Sequence, residues 1–242
     1  MEREMKKAGL FLICLISILF TVSLAGAQGS VRVKCNQFTM DVTSENAHCY
    51  QVDENILLEE GASPEQIENA QVANSAIYFS DFESNMGKIP PQVTFYLVDD
   101  LGKTSLDLLD RTLDLSDIIS NIKSEFSTVE DNLFLMPFLP YQAADPTIKI
   151  LPAKIDFANG TGIRYVTSFE ETLSTSFNSN LYYTWQGLSD DGLYYISAVF
   201  PLSSGSLNGQ SASSVNPDQI NGSDFQPSLN ELDYYVRSIV IE

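Results

Sequence analysis

Histidine is almost absent: His48 is the only one in 242 residues. Nucleophilic catalysis by a Ser–His or Cys–His pair would have to be built on that one ring, which adjoins Cys49. No Gly-x-Ser-x-Gly elbow occurs. Phosphate and dinucleotide cradles need a glycine-rich turn from strand to helix, whereas Asn159-Gly160-Thr161-Gly162 leads into a strand-like run. Basic residues are scarce as well, 13 Lys and Arg against 32 Asp and Glu, for a net charge of -19. Such an excess repels nucleic-acid phosphates and anionic lipid headgroups, so nucleic acid is excluded as a partner. No residue cluster reads as a catalytic, cofactor or metal motif; no cofactor is expected.

What is present starts with an export signal. Arg3, Lys6 and Lys7 precede an uncharged stretch, Leu10 to Ala25, that ends in the small-x-small pattern Ala25-Gly26-Ala27. This predicts a signal peptide over residues 1–27, cleavage before Gln28, and a protein secreted or held at the cell envelope. The stretch is shorter than the roughly 20 residues a membrane span needs, although retention as an anchor is the alternative to cleavage. Cys14 follows bulky Leu12 and Ile13, not the small residues a lipidated cysteine needs. Cleavage takes three basic and two acidic groups with it, so the net charge of -19 becomes -20. No second long apolar run follows, and no membrane span is expected after cleavage.

The rest, residues 28–242, is enough for one domain; 14 Phe and 11 Tyr supply a core. Cys35 and Cys49 most simply form one disulfide in an oxidising compartment, closing a loop worth roughly 3 kcal/mol in the chain-entropy model. Free thiols and a metal site are the alternatives. Cys35, His48 and Cys49 match no zinc spacing, because two of the three are adjacent.

Alternation over Val31 to Val42 slips phase near Asn36-Gln37, which predicts two short strands joined by a turn or bulge. Ser63-Pro64-Glu65-Gln66 fits a helix start. Asn74 to Phe79 and Gln92 to Val98 read as extended. Leu106, Leu109, Leu113, Ile118, Ile119, Ile122 and Phe126 recur at helical spacing across Thr104 to Phe126. Met136 to Pro152 is proline-rich and reads as a surface loop. Ile148 to Phe157 and Ile163 to Phe169 flank an Asn159-Gly160 pair expected to supply the positive φ angles of a tight turn. A second hairpin, Leu181 to Leu188 with Leu193 to Pro201, is apolar on both faces and so should lie centrally, with helices against it. Ser203 to Gln226 is rich in Ser, Gly and Asn, and is expected to be a mobile loop too polar to pack. Ser228 and Glu231 suggest a capping box opening a helix through Leu229, Leu232 and Val236, followed by a strand at Ile239-Val240-Ile241. The order is that of an α+β fold: a central, largely antiparallel sheet with helices on its faces.

Each candidate site has a plainer explanation beside it. Tyr182, Tyr183, Trp185, Tyr194 and Tyr195 could form a ligand or carbohydrate platform, though core packing of a central hairpin explains them too. Glu170-Glu171 and Asp190-Asp191 could be nominated for acid–base hydrolysis, but adjacent side chains diverge and do not meet on one bond. Asp99-Asp100-Leu101-Gly102, Asp190-Asp191-Gly192 and Asn221-Gly222-Ser223-Asp224 are fragments of a calcium loop that turn chemistry also explains.

The run Ile155 to Thr167, containing Asn159-Gly160-Thr161-Gly162-Ile163-Arg164-Tyr165-Val166-Thr167, and the run Leu181 to Ala198, containing Tyr183-Thr184-Trp185-Gln186-Gly187-Leu188 and Tyr194-Tyr195, resemble a family of exported bacterial proteins, mainly from Chloroflexi. That family carries no assigned activity, so the resemblance implies export and fold. The chain departs from it in its N-terminal cysteines. A weaker, fold-level resemblance to PsbP/Mog1 proteins implies a sheet between helices and a non-catalytic accessory role. The functional expectation is an envelope or extracellular binding or accessory domain, with a carboxylate-dependent hydrolase as the alternative.

Overall fold

The computed structural model describes residues 30–43, 46–53, 72–80, 89–104, 117, 138–139, 146–169, 173, 181–207 and 209–242. The export signal, the helix start at Ser63 and all but the first residue of the amphipathic stretch from Thr104, save isolated Asp117, lie outside them.

Seven strands form one antiparallel sheet: β3 (Ala47–Val52), β4 (Asn74–Phe79), β5 (Gln92–Leu97), β6 (Ile148–Phe157), β7 (Gly160–Ser168), β8 (Leu181–Ser189) and β9 (Tyr194–Pro201). Their order across the sheet is β3-β4-β5-β9-β8-β7-β6, so the aromatic β8–β9 hairpin is central, as its two apolar faces require. A second sheet contains β1 (Val31–Cys35), β2 (Phe38–Val42) and β12 (Val240–Ile241), in the order β1-β2-β12. The phase slip near Asn36-Gln37 is a hairpin turn, with Asn36 at φ 57. Asparagine tolerates that left-handed conformation better than most residues.

One face of the large sheet carries the main core. Phe38, Met40 and Val42 of β2 pack over it beside helix α2 (Leu229–Arg237), which contributes Leu229, Leu232, Tyr235 and Val236. Phe38 stacks on Phe95 with centroids 4.0 Å apart, and Phe79 stacks on Tyr235 at 5.6 Å. The opposite face buries Tyr96, Tyr165 and Tyr195 against Val72, Leu139 and Leu101, the last from the short helix α1 (Val98–Thr104). The fold is therefore α+β and mostly antiparallel β. The expectation of helices on the faces needs correction, because a three-stranded sheet does much of the covering on the first face. The reason lies in β1 and β2: their apolar residues form a hairpin that, with Val240 and Ile241 added, makes a layer of its own.

Three local expectations also change. The Ala158-Asn159 turn joins Phe157 to Gly160, and neither Asn159 nor Gly160 has a positive φ. Asn159 instead holds a distant segment, its Oδ1 accepting from Ile241 N at 2.8 Å. Gly160 and Gly162 are needed for close approach: a Cβ on Gly162 would lie 2.5 Å from Gln186 O and 2.6 Å from Trp185 Cε2. The loop expected over Met136 to Pro152 gives way to β6 from Ile148, with an irregularity at Leu151 (φ 54) and Pro152. Residues 203–226, expected to be too polar to pack, carry a strand pair, β10 (Ser203–Ser204) with β11 (Phe225–Gln226), and three short 3-10 turns. Sparse apolar residues suffice to anchor them: Leu207, Ala212, Ile220 and Phe225 are buried in the main core. The cap of α2 is half of the expected box. Ser228 Oγ accepts from Glu231 N at 3.3 Å, while the Glu231 carboxylate accepts from Tyr235 Oη and Thr43 Oγ1.

Trp185 is fully buried and is the sole tryptophan, so its fluorescence reports this packing. Gly162→Ala should lower the stability by about 1–3 kcal/mol through overpacking. Chemical denaturation followed by Trp185 emission measures it, and an unchanged midpoint would contradict the close approach.

Candidate functional site

The Cys35–Cys49 disulfide is present, its Cα atoms 5.1 Å apart and 14 residues apart in sequence. Cys35 ends β1 and is buried, whereas Cys49 sits on the exposed edge strand β3. The bond therefore ties the β1–β2 hairpin to the rim of the large sheet. On either side of it lie the two walls of a depression of about 230 Å³.

Asn36, Gln37 and Phe38 from the β1–β2 turn form one wall, and Gln51, Val52 and Asp53 at the end of β3 form the other. The start of β4 contributes Asn74 and Ser75, with Ala73 before it. Phe95 and Leu97 of β5, Asp100 of α1 and Tyr194 of β9 complete the lining. Asn36 Nδ2 donates to Ser75 Oγ at 2.7 Å, and Gln37 Nε2 donates to Tyr194 Oη at 3.1 Å. Asn74 Nδ2 donates to Val72 O at 2.7 Å. Among the described residues no Lys, Arg or His lines the space, and two acidic residues line it from separate elements, Asp53 after β3 and Asp100 in α1.

The five rings nominated as a platform do not share a surface. Tyr183 and Trp185 point into the main core, while Tyr182 and Tyr195 point to the opposite face, all of them buried. Strand alternation separates neighbours in sequence onto different faces. Tyr194 is partly buried and is the one of the five that lines the depression. The Trp185 indole N–H donates to Ile155 O at 3.2 Å, the partner a buried indole needs.

A buried charged cluster lies elsewhere, beneath α2. Tyr183 Oη donates to Asp233 Oδ1 at 3.0 Å, and Arg164 Nε stands 3.6 Å from the same oxygen. Burial raises the Asp233 carboxyl above the usual carboxylate range, against the opposing pull of Arg164 and the Tyr183 hydroxyl. Burial also pushes the Tyr183 phenol well up, and the neighbouring carboxylate adds to this. Asp233 and Tyr183 are both buried, and the trio reads as a packed polar contact between α2 and the sheet.

On the second face, Gln186 Nε2 donates to Ser197 Oγ at 3.0 Å, and the Tyr195 hydroxyl donates to Gln186 Oε1. These groups satisfy one another inside the core and leave nothing for a ligand. Asp190 and Asp191 lie in the β8–β9 turn, where Asp191 Oδ1 accepts from Leu193 N at 3.0 Å and from Ser189 Oγ. Those bonds hold the Asp191 carboxyl below its ordinary range and explain it as turn chemistry. In the same way Asp224 Oδ2 accepts from Asn221 N at 2.9 Å. Glu170-Glu171 lie outside the described residues. Among those described, no three His, Cys, Asp or Glu side chains gather as a metal site requires.

Nothing in the sequence placed Asn36, Asp53, Asn74 and Asp100 together. The only hint was the break in alternation at Asn36-Gln37, which marked a turn but not what it faces. No family model, curated protein or solved structure matches the chain.

Thiol titration of the purified chain lacking residues 1–27, under denaturing conditions, should find no free thiol, and reduction should cost about 3 kcal/mol of stability in the loop-entropy account. Two reactive thiols would contradict the bond. Asp233 titrates higher folded than unfolded, so its contribution to stability is full below the usual carboxylate range and is lost as pH rises through the raised value. The stability difference between the wild type and Asp233→Asn should thus move against the wild type as pH rises; a pH-independent difference would refute it.

Proposed function

We propose that the chain is a secreted or envelope-associated, non-enzymatic binding or accessory domain, whose partner is an extracellular or envelope component and not nucleic acid. The observation that carries this is the depression beside the disulfide, whose described lining is made of amides, two acidic residues and apolar side chains. The N-terminal signal, the bonded cysteines and the acidic balance support an extracytoplasmic setting, as do the resemblances to exported Chloroflexi proteins and to PsbP/Mog1 accessory proteins. No helix among the described residues is long and apolar enough to cross a membrane.

A carboxylate-dependent hydrolase is the second reading, favoured by one observation: Asp53 and Asp100 line a common recess from separate elements. Acidic residues on separate elements can face one bond, as two-carboxylate chemistry requires, whereas the adjacent Asp190-Asp191 diverge.

Two measurements decide. Protein recovered from the extracytoplasmic fraction should begin at Gln28, and recovery from the cytosol with Met1 intact would overturn the assignment. In a screen of glycoside and ester substrates the wild type should be inactive. Turnover that falls about 100-fold or more in both Asp53→Asn and Asp100→Asn would establish the hydrolase instead.

A further inference from the structure

We propose that the depression between the β1–β2 turn and the ends of β3, β4 and β5 binds a single neutral sugar residue. This rests on the chain being a binding domain and names its ligand class.

Charge sets the first limit. With Asp53 in the lining, no basic side chain among the described lining residues, and a net charge of -19 on the chain, an anionic ligand is disfavoured. Hydrogen bonding sets the second. The amide nitrogens of Asn36, Gln37 and Asn74 donate to Ser75 Oγ, Tyr194 Oη and Val72 O. Each amide thereby spends a nitrogen on the protein, and its carbonyl oxygen is the group left to accept from a ligand. Those oxygens and the exposed Asp53 carboxylate favour a ligand that brings several donors at once.

The apolar part of the lining separates the donor-bearing candidates. Val52 and Leu97 give the recess its apolar side, with the half-buried Tyr194 beside them and the stacked pair Phe38 and Phe95 buried behind. A calcium ion needs six to eight converging oxygens and gains nothing from that apolar side. A polyamine can donate to carboxylate and amide oxygens alike, but it has no ring face, and the test below sets it against the sugars. A sugar ring carries hydroxyls around its rim and C–H groups on its face, and so answers both kinds of lining. At about 230 Å³ the space falls below the 300–1,000 Å³ usual for drug-sized ligands and suits one ring.

The disulfide holds this geometry. Cys35 immediately precedes Asn36, and Cys49 lies two residues before Gln51, so one covalent bond fixes the spacing of the two facing walls.

The test is saturation-transfer and ¹⁵N-correlation NMR on the purified protein with glucose, galactose, mannose and N-acetylglucosamine in turn, and with calcium chloride and spermidine alongside. At least one sugar should receive saturation at its ring C–H protons and shift the side-chain amide signals of Asn36, Gln37 and Asn74. Asn36→Gly, which keeps the left-handed turn, and Asp53→Asn, at an exposed position, should each weaken that binding about tenfold, the worth of one polar or charge-assisted hydrogen bond. Trp185 fluorescence checks that both variants are folded, and reduction of the disulfide should weaken binding too. Response to calcium or spermidine alone, silence from all four sugars at tens of millimolar, or wild-type affinity in both folded variants would overturn the assignment. Retention of the protein on envelope fragments without any sugar response would sink the sugar and leave the binding domain standing; loss of both would sink both.

Discussion

Burying the β8–β9 hairpin on both sides at once is the constraint from which the rest of the architecture follows. Trp185, Tyr183 and Phe200 face one layer while Tyr182, Tyr195 and Val199 face another, and all six are excluded from water. Each such ring contributes roughly 1.5–3 kcal/mol or more only if something covers it. A hairpin of this kind cannot be an edge, so β5 must pair on one side and β7 on the other. Close packing then limits its neighbours, and glycine at 160, 162 and 187 leaves room for Trp185, Phe157 and the strand carbonyls.

From that centre outward the sheet becomes less demanding, and its edges differ. At β6 the irregularity at Leu151 and Pro152 interrupts the ladder, a common protection for an exposed strand. At β3 the strand is regular and largely exposed, and it is joined through Cys49 to the β1–β2 hairpin lying over the sheet. The candidate site occurs at this second edge, where two layers are clamped together but do not close.

The centre was legible in the sequence because its signals are local. The aromatic strands, the turn with Gly192 at φ 72, the helix opened by Ser228 and the phase slip at Asn36-Gln37 each state their structure within a few residues. The disulfide was legible for a different reason, since two cysteines in a chain read as exported have one simple choice. What spacing could not supply was partnership across long separations. Asn159 looked like turn chemistry, and its actual bond is to Ile241 N. Residues 203–226 looked unpackable by composition, although four apolar side chains were enough to hold them. The depression was invisible because its polar lining consists of ordinary amides and acidic residues from the β1–β2 turn, the end of β3, the start of β4 and α1, none of which is unusual alone.

The pairing of β12 with β2 bears on when the molecule can finish folding. Val240 and Ile241 complete a sheet begun at Val31; Asp41 N donates to Ser238 Oγ at 2.9 Å across 197 residues, and Glu242 N donates to Gln37 O at 2.7 Å. A ribosome delivers the first hairpin long before these last residues exist. During that interval β2 has a vacant flank, and Phe38 and Met40 lack the layer that shields them. Closure of contacts so far apart in the chain is slow, so β2 stays open on this flank at least until residue 241 has been made.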